Sequence, residues 1–178
     1  DGKPVAPSAL SPDAQVWVVD AETGIGSMVD SPIPRALETN EIADVIADFR
    51  KAAANAIEAG FDGVEIHGAN GYLIDEFLRR SSNHRTDQYG GSQDNRIRFL
   101  VEVAEAVADE IGEDRTGIRL SPYITQRNMA DDEIIEVILK AAKELNRIGL
   151  VYIHLSEADW DDAPQVPDQF RHDLRAVY

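Results

Sequence analysis

Three times in this chain a stretch with one apolar helical face runs into a glycine and then into a short β-rich run. In the first, Ile42, Val45, Ile46, Phe49, Ala53 and Ile57 follow the i, i+3, i+4, i+7 spacing of an amphipathic helix. Thr39 or Asn40 is the expected N-cap, and Gly60 the stop after Ala59. A strand is expected over Phe61 to His67. The second unit has Ile97, Leu100, Val101, Ala104, Val107 and Ile111 on one face of a helix over about 94–111. Gly112 stops it, and Thr116 to Leu120 forms the next strand. In the third, Asp131 is the expected cap of a helix carrying Ile134, Ile135, Ile138, Ala141 and Leu145, with Gly149 and the strand Leu150 to Leu155 behind it. Neighbouring strands joined through helices are parallel, because a parallel pair needs a long crossover. The sequence therefore specifies an α/β fold of about three βα units over residues 39–178, closed by a short amphipathic helix near 168–176. Residues 1–38 read as a proline-containing loop and a β-hairpin. Val16 to Val19 is its first strand, Ala21 to Gly24 its turn, and Ile25 to Val29 its return. The segment 68–93, rich in Gly, Ser, Asn and Arg, is expected as a long loop.

Composition narrows the function. The chain has 33 acidic and 17 basic residues in 178, a formal net charge of −16. No basic face is available to grip phosphates, so no nucleic-acid partner is expected. No apolar run reaches the ~18 residues of a membrane span, and no membrane partner is expected. There is no cysteine, which excludes disulfides, thiolate metal sites and thiol nucleophiles and suits a cytoplasmic location.

Ligands of parallel α/β proteins bind at the carboxyl ends of the strands. The first strand ends in His67, with Asn70 and Tyr72 three and five residues on and Gly68 and Gly71 between them. His and Asn offer two N–H donors, which suits polarisation of a carbonyl or nitro oxygen. A phenol beside them can act as a general acid. The competing reading is a His and a Tyr that merely stitch the turn. Arg119 lies inside the second strand, where an unpaired guanidinium is costly. Its partner is either a carboxylate such as Glu65 or a cofactor that gathers negative charge. Arg85, Asp87, Asn95 and Arg96 are expected to form a polar network that fixes the long loop. His84 and His172 are expected at the surface, and His154 packed or hydrogen-bonded within its strand. Trp160 either lines the pocket or anchors its loop. Asp159, Asp161 and Asp162 read as a solvated turn, without the spacing of a calcium loop, so no metal site is expected.

These motifs carry a resemblance. Phe61-Asp62-Gly63-Val64-Glu65-Ile66-His67-Gly68-Ala69-Asn70-Gly71-Tyr72-Leu73 resembles a signature of the Old Yellow Enzyme family of FMN-dependent ene-reductases. So do Ser82 to Ser92 followed by Asn95-Arg96-Ile97-Arg98-Phe99, and so do Gly117 to Pro122, Pro34 to Glu38 and His154 to Trp160. The resemblance implies a (β/α)8 TIM barrel with FMN at the strand ends. It implies NAD(P)H as electron donor and a small α,β-unsaturated carbonyl or nitro compound as oxidant. His67 and Asn70 match the pair that holds the activating oxygen of the substrate. Tyr72 matches the proton donor, and Arg119 the arginine at the N1/O2 edge of the flavin. Arg79-Arg80 departs from the Ser-Pro that many members have after Phe-Leu.

A whole barrel of this kind has eight strands and typically ~250 residues. With three barrel strands, residues 1–178 are expected to be one partial TIM-barrel domain, a central section of the family fold. Asp1 in place of Met fits that expectation. A partial barrel leaves open sheet edges, so self-association or a complementary chain is the expected macromolecular partner. The alternative function is a catalytically silent fragment or assembly module that needs such a piece.

Overall fold

The protein is described by a computed structural model over residues 3–157 and 164–178. Its centre is a parallel sheet of three strands, β5 (Val64–Gly68), β6 (Thr116–Leu120) and β7 (Tyr152–Leu155), in the order β5-β6-β7. Between them run the helices α3 (Gln93–Ile111) and α4 (Ile134–Ile148), preceded by α1 (Ile42–Glu58) and followed by α5 (Asp168–Val177). Gly149 takes φ +91° after α4, a left-handed turn that L side chains disfavour, and its N–H bonds the Leu145 carbonyl.

All these helices lie on one side of the sheet. Ile66 and Ile118 turn towards them and are buried with Phe99, Leu100, Val103, Val137, Ile138 and Leu145 in one core. The buried arc of α3 is wider than a single stripe and takes in Arg96, Phe99 and Val103, because α1 and α2 (Leu73–Leu78) pack on one flank and α4 on the other. The alternate residues of the sheet, including His67, Arg119 and His154, face away from the helices.

Two small sheets precede this body. β2 (Gln15–Val19) and β3 (Gly26–Asp30) form the expected antiparallel hairpin, with Trp17 opposite Met28. Both of its faces are exposed, Trp17 by 65%. The strands β1 (Val5–Ala6) and β4 (Arg35–Ala36) pair in parallel beside it. Two-residue strands carry no periodicity, so nothing in the sequence announced them.

Several expectations are corrected. The segment 68–93 is not one loop, since Leu73–Leu78 forms α2 with Ile74, Phe77 and Leu78 buried. Neither Thr39 nor Asn40 caps α1. A 3-10 turn over Thr39–Glu41 leads into it, and the Glu38 N–H donates to the Glu41 carboxylate at 2.7 Å. Thr39 instead bonds Asp87 across the loop. The N-cap of α4 is Glu133, and Asp131, two residues earlier, accepts its N–H at 2.9 Å. The first strand starts at Val64, and Phe61 lies outside it, exposed.

Candidate active site

The register of the sheet sets the site. His67 pairs with Arg119, and Arg119 with His154, so three ionisable side chains stand abreast at the strand ends on the helix-free face. One layer below lie Glu65, Gly117 and Tyr152. A Cβ on Gly117 would come within 2.3 Å of the Tyr152 ring, so only glycine lets that ring cross β6. Glu65 reaches past β6 to His154, Oε2 to Nδ1, at 3.0 Å. Desolvation and the Glu65 carboxylate push the Tyr152 phenol above its ordinary pKa. Glu65 therefore serves His154 and Tyr152 and is not the partner of Arg119. His154 is bonded across the sheet, to Glu65 on β5, and not within its own strand.

Beyond β5 the chain turns sharply through Ala69 to Tyr72. Asn70 sits at φ 60°, a left-handed conformation that Asn tolerates better than most residues. Its backbone is held on both sides. The Asn70 N–H donates to Ser121 Oγ at 2.7 Å, and the Asn70 carbonyl accepts from Arg127 Nη1 at 3.2 Å. Ser121 in turn donates to Asp75 Oδ2 at 3.0 Å, and the Gly71 N–H donates to the same oxygen at 3.0 Å. Beneath this turn Arg79 is fully buried. It donates to Asp75 Oδ1 at 2.8 Å and to the carbonyls of Ser121 and Met129 at 2.6 Å each. The Arg79-Arg80 pair thus splits, with Arg79 as a structural hub and Arg80 outside, paired with Glu133 at 2.8 Å.

Tyr72 is the N-cap of α2, and its ring meets His67 edge-on with centroids 5.1 Å apart. The Arg127 guanidinium lies over the phenol ring, 5.4 Å from its centre. Asn70 Oδ1 accepts from Ser156 Oγ at 3.1 Å, and Ser156 Oγ accepts from Arg119 Nη2 at 3.1 Å. Arg119 Nε is buried without a partner among the described residues. That orphaned cationic donor fits a group that gathers negative charge, as an isoalloxazine edge does on reduction. His67, Asn70, Tyr72 and Arg119 thus converge on one strand end, joined by a ring contact, a register pair and a two-bond relay. Such a set can offer N–H donors to an oxygen and a phenolic proton to a carbon beside it.

A cavity of about 360 Å³ adjoins the phenol, lined by Tyr72, Gly71, Arg127 and Met129 and by Val5, Leu10 and Pro32 of the first segment. Glu76 faces the same cavity. Burial, with the neighbouring Asp75 carboxylate, pushes its pKa up to about 7.

The polar loop network forms as expected for Arg85, Asp87 and Asn95, whereas Arg96 belongs to a separate cluster. Arg85 bonds Asp87 at 3.0 Å and the Pro7 carbonyl at 3.1 Å, and Asn95 bonds the Gly90 carbonyl at 3.0 Å. The Arg85 guanidinium, with help from Thr39, holds the Asp87 carboxyl down at about 2. Arg96, side chain 1% exposed, ties the Leu78 carbonyl to Asp131 and Glu133. His84 and His172 are exposed. Trp160, Asp159, Asp161 and Asp162 lie outside the described residues. Among the described residues, no group of three or more His, Asp and Glu is placed to hold a metal ion. No helix among them is long and apolar enough to cross a membrane.

Sequence reasoning missed Ser121, Asp75, Arg79, Arg127 and Ser156. Ser121 and Ser156 directly follow the second and third strands, so the strand-end rule points at their positions. A lone serine carries too little chemistry to be singled out.

A parallel sheet with helices on one face, a bare inner face and polar groups at its carboxyl end has the arrangement of part of a (β/α)8 barrel. The comparisons with known proteins name the family. A model of the NADH:flavin oxidoreductase / NADH oxidase family matches residues 6–176, and the chain belongs to this, the Old Yellow Enzyme family. It is 56% identical over 124 residues to the putative 12-oxophytodienoate reductase 11 of Oryza sativa subsp. japonica, covering 70% of this chain and 34% of that protein. The putative 12-oxophytodienoate reductase-like protein 1 of Arabidopsis thaliana is also 56% identical, with 38% of it covered. Among solved structures, morphinone reductase superimposes with a TM-score of 0.93 at 44% identity, covering 99% of this chain and 47% of that one. The chain thus spans between a third and a half of the length of the relatives it matches.

Proposed function

We propose that this chain carries the substrate-side residues of an FMN-dependent ene-reductase. In this reading NAD(P)H is the electron donor and an α,β-unsaturated carbonyl or nitro compound the acceptor. The observation that carries it is the convergence of His67, Asn70 and Tyr72 at the end of β5, beside the orphaned Nε of Arg119. Residues 1–178 act here as one partial-barrel domain. A solved complex of morphinone reductase with tetrahydroNAD supports a nicotinamide donor by analogy.

The roles follow from the donor chemistry. A His67 ring N–H and the Asn70 Nδ2 group donate to the activating oxygen and draw electron density from the C=C bond. The Tyr72 O–H gives its proton to the α-carbon, and water reprotonates the phenolate. Arg119, whose Nε has no partner among the described residues, would hold the electron-rich edge of FMN and would balance its charge. When bound, FMN supplies hydride storage and delivery between NAD(P)H and the β-carbon of the substrate.

The edges of the central sheet support a second reading. β5 and β7 each pair on one side only among the described residues. A silent fragment or assembly module that needs a complementary piece, or a second copy, would leave such edges. FMN titration followed by an NADPH and 2-cyclohexenone assay separates the two. The ene-reductase reading expects a yellow protein that converts the enone to cyclohexanone. A colourless protein that takes up no FMN overturns it and leaves the assembly module.

A further inference from the structure

We propose that Ser156 is a positioning residue, which fixes the Asn70 carboxamide so that its NH2 group, and not its carbonyl, faces the substrate oxygen. The proposal rests on the ene-reductase reading for what Asn70 touches. It rests on geometry alone for how Asn70 is held.

The direction of the relay is set by chemistry. Arginine can only donate, so Arg119 Nη2 is the donor to Ser156 Oγ at 3.1 Å. The single proton of the hydroxyl is then free for Asn70 Oδ1, an atom that can only accept, also at 3.1 Å. With Oδ1 committed to Ser156, the Nδ2 group points away from it, and no hydrogen bond among the described residues uses it. The backbone of Asn70 is fixed independently by Ser121 and Arg127. Only the side-chain flip is left open, and Ser156 decides it. Ser156 is itself anchored, since its N–H donates to the Leu120 carbonyl at 2.7 Å and prolongs the β6–β7 pairing.

The relay also carries charge. A hydroxyl that accepts from a guanidinium is a stronger donor, so it polarises the Asn70 amide towards its N–H bonds. The cation of Arg119 thereby strengthens the group that meets the substrate. Without the hydroxyl, the amide can flip and set its carbonyl against the oxygen of an enone.

The test compares Ser156→Ala, Ser156→Thr and Asn70→Ala. In the chain labelled with 15N, the side-chain NH2 signals of Asn70 shift in Ser156→Ala and return in Ser156→Thr, which keeps the hydroxyl. In the FMN-loaded enzyme, Ser156→Ala raises KM for 2-cyclohexenone roughly tenfold with kcat changed far less, the loss of one good hydrogen bond, and Ser156→Thr restores it. Unmoved Asn70 signals in Ser156→Ala overturn the proposal, whatever the kinetics show. If those signals move but Asn70→Ala leaves KM unchanged, the relay stands and the ene-reductase reading falls.

Discussion

Asp75 and Arg79 meet inside the protein at 2.8 Å, with side-chain exposures of 1% and 0%. The pair lies under the turn that carries Asn70 and Tyr72. Asp75 takes up the Gly71 N–H and the Ser121 hydroxyl, and Arg79 takes up the carbonyls of Ser121, Ile124 and Met129. The strand-end turn after β5 and the loop after β6 are thus joined through one buried cation.

Removing that cation leaves the buried Asp75 carboxylate without its counter-charge, held only by the Gly71 N–H and the Ser121 hydroxyl, and leaves three carbonyls without this donor. Arg79→Ala is therefore expected to lower unfolding stability by about 3–5 kcal/mol in a urea titration. Arg79→Lys is expected to recover only part of this, because an ammonium cannot reproduce the planar fork. A loss below about 1 kcal/mol for the alanine variant would contradict the role as a hub.

Glu76 makes stability depend on pH in an unusual direction. Its folded pKa of about 7 lies above the ordinary 4.5, so the native state keeps a proton that the unfolded chain has released. The stabilisation is whole below the unfolded value and is lost as pH rises through the folded one. Between pH 5 and pH 8 the protein is expected to lose on the order of 2 kcal/mol, after allowance for partial exposure. Glu76→Gln should flatten that part of the profile. An unchanged slope in the variant would show that another group titrates there.

Asn70 meets a backbone demand and, in the proposed function, a chemical one, and variants separate them. Glycine tolerates φ 60°, whereas alanine and valine are strained there by roughly 1–2 kcal/mol or more. Thermal unfolding is expected to rank Asn70→Gly above Asn70→Ala, and Asn70→Ala above Asn70→Val. Enone KM is expected to rise in all three. A KM that follows the stability ranking would mean that the residue serves the turn alone.

Much of this was legible in the sequence because its signals repeat. The spacing of Ile134, Ile138, Ala141 and Leu145 shows a helix face, and Gly149 its end. The strand-end rule points to His67, Asn70, Tyr72 and Arg119 from the sequence alone. Other features had no periodic signal. The six residues of α2 are too few for a pattern, although Ile74, Phe77 and Leu78 bury one face. Buried Arg79 looks like any surface arginine, because its carbonyl acceptors lie more than forty positions away and the i, i+4 spacing from Asp75 is that of an exposed helix pair. The choice between Glu65 and a cofactor for Arg119 depended on which carboxylate reaches across β6. Glu65 turned out to serve His154.

The central claim is that Tyr72 is the proton donor of the oxidative half-reaction, and stopped-flow kinetics on the FMN-loaded Tyr72→Phe enzyme tests it most directly. Reoxidation of the reduced flavin by 2-cyclohexenone is expected to slow by at least about a hundredfold, the scale of general acid catalysis. Reduction by NAD(P)H should stay within about twofold, because no proton from Tyr72 is needed in that step. Equal losses in both half-reactions, or no loss in either, would contradict the assignment.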